Sequence, residues 1–421
     1  MDDTDKFAPR KDKSLQDQET GSLKAAMSLK AGDLVANDAG EIKEKLGPFT
    51  LIALCFTLCN TWAGVAASLP VALLQGGPAA LLYGEIFSAF TYLCIALSMA
   101  ELASVYPSAA GQYAFTSILT PARINRGISY TCGMVMMMSW LAVGAAVLII
   151  PSSQILAIVQ FYHPSYEKKV WHSFLLYEAM TLLIAAVSTW VLPRFKRIHD
   201  VGFALTMAMF AVSFLLLASR PTERATHEFV WGTFLNSTGW PDGMCFLMAL
   251  LTTSFGYAGL DSALHLAEEV ENPRRQVPRA IVLTVIVGFV TAFAYIIVLL
   301  YSVADFDELI AKEGYLPFEL NRQAFRSDTA AIAVLLAVIC LGFFILLAIF
   351  QTSSRVTWSF ARDKGLAFNK ILESIHPTLG IPVNAGWLNV IISALLGFLF
   401  LASSTGKCIF PCGLIRYWNF C

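Results

Sequence analysis

The chain has 421 residues, of which 57% are hydrophobic and 14% charged, with 29 basic against 30 acidic side chains. Average soluble chains carry about 25% charged residues, so a string of soluble domains is excluded, and a net charge of −1 offers no global attraction for nucleic acid. Between Lys45 and Arg123 there is no lysine or arginine, and only Glu85 and Glu101 supply carboxylates. Hydrocarbon tolerates such a surface and water does not, so the chain reads as an integral, multi-pass membrane protein whose first partner is the lipid bilayer.

Residues 1–45 are polar and of mixed charge, and are expected to form a disordered cytoplasmic tail. No cleavable signal peptide is expected at the start. A crossing helix needs about 20 mostly apolar residues. Nine segments qualify: Phe49–Leu74, Leu81–Ala103, Ile128–Ile158, His172–Leu192, Gly202–Ala218, Met244–Leu266, Ala280–Val303, Thr329–Thr352 and Pro382–Ala402. The third is long enough for a helix plus an outer continuation beginning near Pro151. With the amino terminus inside, fourteen lysines and arginines fall in inner segments and seven in outer ones, so a cytoplasmic amino terminus is expected. The plasma membrane is the expected location, with vacuolar or organellar membranes as alternatives.

Nine cysteines, six of them within spans, form no C-x-x-C pair, and the six histidines form no H-E-x-x-H array. Neither a metal site nor a redox dithiol nor a cofactor is expected. The chain has no Gly-rich loop ending in G-K-[ST], so ATP-driven transport is not expected, nor is an enzyme.

Two spans contain runs of small and polar residues. The first carries Asn60-Thr61-Trp62-Ala63-Gly64-Val65 and the sixth carries Thr253-Ser254-Phe255-Gly256-Tyr257-Ala258-Gly259-Leu260-Asp261. Each alone is equally well read as tight helix packing. Together they lie five spans apart, which is where the two halves of an inverted repeat place matching broken helices around a midplane solute site. Freed amides at one half-helix start attract a carboxylate, and freed carbonyls at another's end attract a cation.

The second span ends Glu101-Leu102-Ala103-Ser104-Val105-Tyr106-Pro107, followed by Gly111-Gln112-Tyr113. After the sixth come Asp261-Ser262-Ala263-Leu264-His265-Leu266-Ala267-Glu268-Glu269, Asn272-Pro273 and Val277-Pro278-Arg279, and the eighth leads into Ser354-Arg355-Val356-Thr357-Trp358-Ser359-Phe360-Ala361-Arg362-Asp363-Lys364-Gly365-Leu366. In this order the motifs resemble the amino acid–polyamine–organocation permease superfamily, and within it the fungal branch of GABA, choline and amino-acid permeases. The resemblance covers roughly Leu46 to Ser404. It implies an all-α, five-plus-five inverted-repeat fold with helices one and six broken, and transport of a small zwitterionic or cationic solute such as GABA or choline by alternating access. The alternative is a solute sensor or an inactive truncated form.

Carried over by the same resemblance, Ala63, Gly64 and Val65 match the unwound part of helix one. Gly259, Leu260 and Asp261, preceded by Gly256 and Ala258, match the break in helix six, with helices three and eight as the remaining wall. Phe255 or Tyr257 would cover the solute, and Trp62 would narrow the pocket beside Gly64. Glu101 is assigned a gating or structural role through a basic partner. Asp261 is expected to cap the next half-helix, and His265, one turn on, makes the Asp261–His265 pair a candidate proton site, with a packing histidine as the other reading. Glu85 and Glu178 are expected to snorkel to water, and Glu268 and Glu269 to be solvated. Hydroxyls at Thr352, Ser353 and Ser354 beside Gln351 leave sodium open as well as the proton. Oligomeric state is not legible. Residues 406–421 depart from the pattern where a tenth span would follow, and one expectation is that they derive from a retained intron.

Overall fold

The computed structural model describes residues 46–195, 197–221, 224–236, 239–303, 309 and 315–402. The expectations for the 1–45 tail and for 406–421 lie outside these residues. Near and far sides of the membrane are named here from α1, which begins on the near side.

Helix α1 (Pro48–Cys59) opens with proline in its first turn, where the missing N–H costs nothing. One residue, Asn60, separates it from α2 (Thr61–Leu74). On the far side β1 (Gln75–Gly76) turns into α3 (Gly77–Val105), which returns and stops at Tyr106, where the following Pro107 disfavours helix. The near-side helix α4 (Gln112–Leu119) leads into α5 (Asn125–Tyr162), then α6 (Val170–Ala186), which loosens into a π-helical stretch over Val187–Val191 ahead of Pro193. Next come α7 (Ile198–Ser219) and, on the far side, α8 (His227–Gly232), whose N-cap Thr226 accepts from Phe229 N–H. β2 (Leu235–Asn236) precedes α9 (Asp242–Phe255), the short α10 (Ser262–His265) and α11 (Pro273–Tyr301). The far-side α12 (Leu316–Phe325), α13 (Asp328–Arg362), the near-side α14 (Asn369–Leu372) and α15 (Val383–Ala402) complete the described residues.

Seven helical segments are long and apolar enough to cross a membrane, and two shorter apolar helices, Asp242–Phe255 and Val383–Phe398, fall at the sixth and ninth expected spans. The sixth is short because its near half unwinds. The third departs from expectation. Instead of a helix plus a separate continuation at Pro151, α5 runs unbroken for 38 residues with Pro151 inside it. Proline cannot donate to the carbonyl four residues earlier, so Val147 loses its helical partner there. A buried setting within the bundle makes that tolerable.

Side chains such as Phe87, Phe90 and Leu97 on α3 and Leu247 and Leu251 on α9 are exposed, as lipid-facing positions require. Inside, two main-chain ties lace the broken helices to each other. On the far side β1 pairs antiparallel with β2, Gln75 opposite Asn236 and Gly76 opposite Leu235. On the near side Leu46 N–H donates to Glu269 O at 2.5 Å, making a parallel bridge to Val270.

The near side is also held by charge. Glu268 and Glu269, expected in solvent, are ion-paired instead. Arg355 Nε lies 2.7 Å from Glu269 with both side chains only 6% exposed, and Arg362 grips Glu268 with two nitrogens at 2.8 Å while its guanidinium covers Trp358 at 4.5 Å. The Tyr113 hydroxyl donates to Asp363 at 2.8 Å, and burial raises that carboxyl's pKa above its ordinary value. Glu101, by contrast, is exposed on α3 and has no ion-pair partner among the described residues, so the basic partner expected for it is not there. Removing one member of a buried pair strands the other charge, at a cost of about 3–5 kcal/mol. Arg355→Ala is therefore expected to lower the thermal unfolding midpoint in detergent sharply, and Arg355→Met with Glu269→Leu to recover most of the loss. Equal midpoints for wild type and Arg355→Ala would show the pair to be inert.

Candidate functional site

The first span stops winding at a single residue. Asn60 adopts φ 35°, ψ 56°, a left-handed conformation that asparagine tolerates better than most side chains. Its carbonyl accepts from Ala63 and Gly64 N–H at 3.0 and 2.9 Å. Ala63, Gly64 and Val65, expected to be unwound, therefore lie within α2, and the interruption sits three residues earlier. A helix start leaves four amides without intrahelical partners. Those of Ala63 and Gly64 are taken by Asn60, which leaves those of Thr61 and Trp62.

The sixth span opens more widely. Residues 256–261 pass from α9 to α10 as successive tight turns, with Gly256 N–H to Thr253 O, Tyr257 N–H to Ser254 O and Ala258 N–H to Phe255 O. Gly259 takes φ +89°, and a Cβ there would sit 2.2 Å from Leu58. Among the described residues no backbone N–H reaches the carbonyls of Gly256 or Ala258. The two interruptions touch each other. A Cβ on Gly256 would meet Thr61 at 2.8 Å, and one on Gly64 would meet the Gly256 Cα at 3.4 Å.

Beside this contact lies a cavity of about 670 Å³, counting its open side. α1 and α2 contribute Asn60, Ala63, Gly64 and Ala67; the sixth span contributes Phe255 and Ala258. α5 supplies Val147, Pro151 and Gln154, and α13 supplies Leu341, Gly342 and Ile345. Its polar lining is uncharged. The Asn60 amide is 1% exposed and neither its oxygen nor its nitrogen has a partner. Gln154 and Cys59 are the other polar side chains of the lining. A second cavity toward the far side shares Ala67, Gln154 and Val338 with the first and is lined by Ser213, Tyr295 and Asn321. Gln154 donates to the Tyr315 hydroxyl at 3.3 Å between the two.

Several expected lining residues point elsewhere. Trp62 and Val65 belong to the apolar core on the opposite face of α2, with Trp62 edge-on to Phe210 and Tyr295. Tyr257 turns away from the cavity, stacks on Tyr92 at 5.1 Å and donates to Glu85 at 2.6 Å. Glu85 is buried, not at a water interface, and Glu178 is half-buried. Gly256 and Gly259 serve the close approach of the backbone and do not line the cavity.

Asp261 and His265 are brought together, near the break but outside the cavity. The Asp261 carboxylate caps nothing. Its Oδ2 accepts from Gln112 at 2.8 Å and Trp140 at 3.3 Å, and lies 3.2 Å from His265 Nε2. His265 Nδ1 faces the Ala109 carbonyl at 2.9 Å. A carbonyl and a carboxylate only accept, so a ring making both bonds donates from both nitrogens and is cationic. The pair ties the break to the loop before α4. The hydroxyls of Thr352, Ser353 and Ser354 donate to carbonyls of their own helix, and none lines the cavity.

Sequence reasoning missed Asn60, Gln154 and the buried state of Glu85. A lone amide at the head of a small-residue run, a glutamine one turn beyond a mid-span proline, and a carboxylate facing no basic residue were the available signals.

Comparison with known proteins agrees with this geometry. A family model described as "Amino acid permease" matches residues 46–419. The choline transporter of Saccharomyces cerevisiae is 29% identical over 378 residues, covering 89% of this chain and 67% of that protein. The 7-keto 8-aminopelargonic acid transporter of the same yeast is 26% identical, covering 85% of this chain and 72% of that protein. Among solved structures, Mhp1, a nucleobase-cation-symport-1 family transporter in a closed conformation with bromovinylhydantoin bound, superposes with a TM-score of 0.50 at 14% identity, covering 87% of this chain and 74% of that one. At that identity the likeness concerns the fold, an inverted-repeat arrangement with interrupted first and sixth helices. The chain belongs to the amino acid permease family, as a fungal-type member of the amino acid–polyamine–organocation superfamily, and is a membrane transporter, not an enzyme.

Proposed function

We propose that this chain is a secondary carrier that moves a small zwitterionic amino-acid-type solute, GABA-like in size, by alternating access around the cavity beside Asn60. The observation that carries the reading is the uncharged lining. Because no ionised side chain is among the described lining residues, opposite charges must be met by main-chain and amide dipoles. The positive end of the α2 dipole, which begins beside the lining residue Asn60, suits a carboxylate. The carbonyl of Ala258, which lines the cavity and is reached by no backbone N–H among the described residues, suits an ammonium group. Asn60, able to donate and accept, joins the two ends. Such neutral groups hold a solute without desolvating a fixed protein charge in each transport cycle.

Choline is the second reading, supported by the 29% identity to a protein named a choline transporter. A quaternary amine draws on aromatic faces. Phe255 is the one aromatic ring among the lining residues, since Trp62 and Tyr257 are turned away. That favours the zwitterion. The near side, closed by Arg355–Glu269 and Arg362–Glu268, is read as cytoplasmic from the excess of basic residues there.

Uptake of labelled GABA and of labelled choline into proteoliposomes separates the two, each competed by the other. Asn60→Ala removes two hydrogen-bonding groups and is expected to reduce uptake of the preferred solute about 10–100-fold, from about 1–3 kcal/mol of lost interaction. Unchanged uptake by this variant would refute the site. Binding without uptake by the wild type would favour the sensor.

Cys59 gives an independent check. With the chain's other eight cysteines replaced, a small thiol reagent is expected to modify Cys59, and saturating solute to slow that reaction. A labelling rate indifferent to every solute transported would place the solute elsewhere.

A further inference from the structure

Most polar groups inside the bundle have an evident partner, and one wholly buried acid stands with no paired cation among the described residues. Glu85 lies about 12 Å along α3 from its far-side start, by eight residues of helix rise, and is wholly buried. One carboxyl oxygen accepts from the Tyr257 hydroxyl at 2.6 Å, and the other has no partner. No lysine, arginine or histidine of the described residues pairs with it. Its polar neighbours are the Ser88 hydroxyl one turn on, bonded to Thr253 and Ser254 of α9 at 2.7 and 3.3 Å, and the ring of Tyr92 stacked on Tyr257. Titratable groups nearest it are Tyr92 on α3, Tyr257 and Asp261 at the break, and Cys59 on α1. α11, packed along α3, adds Tyr295 and Tyr301 toward the far side and Arg274, Arg275 and Arg279 at its near-side start. α8 adds His227 and Glu228 on the far side, and no cation of the described residues is ion-paired with Glu85. Asp261 is engaged with His265.

An isolated carboxylate in such a place costs several kcal/mol, whereas a neutral acid there costs little. The acid's one partner is Tyr257, two residues from Phe255 and adjacent to Ala258, both of which line the solute cavity. The non-helical backbone of residues 256–261 connects the two. Any movement of the break on solute binding or release therefore changes what faces Glu85, by bringing water or by withdrawing the Tyr257 hydroxyl.

The geometry points to Glu85 as the site that carries the driving proton in a proton-coupled transport cycle, with Tyr257 reporting to it the state of the sixth-helix break. Glu85 takes a proton from far-side water before closure, holds it as a neutral acid, and returns it to near-side water when the break rearranges. One proton moves and no other bond changes. This assignment rests on the carrier reading above but not on which solute is carried, since Glu85 does not touch the cavity.

The test uses the full chain in proteoliposomes containing a trapped pH indicator, with labelled GABA and labelled choline as probes. For wild type, an inward proton gradient is expected to drive accumulation above equilibrium, with acidification of the lumen that requires solute. Glu85→Gln, a permanent mimic of the neutral acid, is expected to lose at least tenfold of the gradient-driven accumulation and all solute-dependent acidification. It should still exchange external labelled for internal unlabelled solute. Glu85→Asp should restore part of the coupled signal. Tyr257→Phe, which keeps the acid and removes only its donor, should move half-maximal uptake toward higher pH, and it decides the matter should Glu85→Gln fail to fold. Full coupled accumulation by Glu85→Gln, an unshifted pH profile for Tyr257→Phe, or wild-type accumulation driven by sodium without acidification would each overturn the assignment. Absence of both uptake and exchange in the wild type would instead remove the carrier reading, and the proton site with it.

Discussion

Within hydrocarbon a peptide group must find its partner inside the protein, and nearly every feature of this fold follows from where that demand is relaxed. It is relaxed at Asn60 and over residues 256–261, and these two places lie against each other. Their contact is possible because Gly64, Gly256 and Gly259 carry no side chain: the last would collide with Leu58 if it did. What the two interruptions leave between themselves and helices α5 and α13 is a space lined by amides, carbonyls and methyl groups.

Charge is distributed in keeping with that arrangement. Ionised groups gather at the near side, where Glu268, Glu269, Arg355, Arg362, Asp261 and His265 pair with one another within and between two stretches of chain, 261–269 and 355–362. A buried ion pair adds little stability compared with apolar packing, but its geometry is specific. Here it fixes the near ends of α13 and of the sixth span in one register. The described lining of the cavity is electrically neutral, and Glu85, buried with no paired cation among the described residues, stands beside the cavity, not in it.

Seven long apolar helices, and two shorter ones at the sixth and ninth expected spans, were legible because length and hydropathy are set by the bilayer, and the break in helix six because glycines at 256 and 259 flank a turn that only small residues allow. The first break was misplaced by three residues for a physical reason. Asn60 and a glycine can both adopt left-handed backbone, and the run Ala63-Gly64-Val65 winds readily once buried. That shift had consequences, because each residue of helix turns the next side chain by 100°. Starting α2 at Thr61 sends Trp62 toward Phe210 and Tyr295 and brings Ala63 and Gly64 to the cavity. The facing of Tyr257 likewise depends on non-helical turns that no periodicity describes. Glu85 was read by its distance from an interface, whereas its burial is decided by the break and by α9, which lie distant in sequence.

The two main-chain ties, β1 with β2 on one side and Leu46 with Val270 on the other, join like halves of the interrupted helices. Each tie spans sequence-distant strands, yet neither crosses the interruptions. The molecule thus has an upper and a lower lever, each made of two chain segments sewn at the tip and sharing a fulcrum at Asn60 and Gly259. A lever so stitched cannot swing one limb alone: whichever face opens, the first and sixth helices must leave it together.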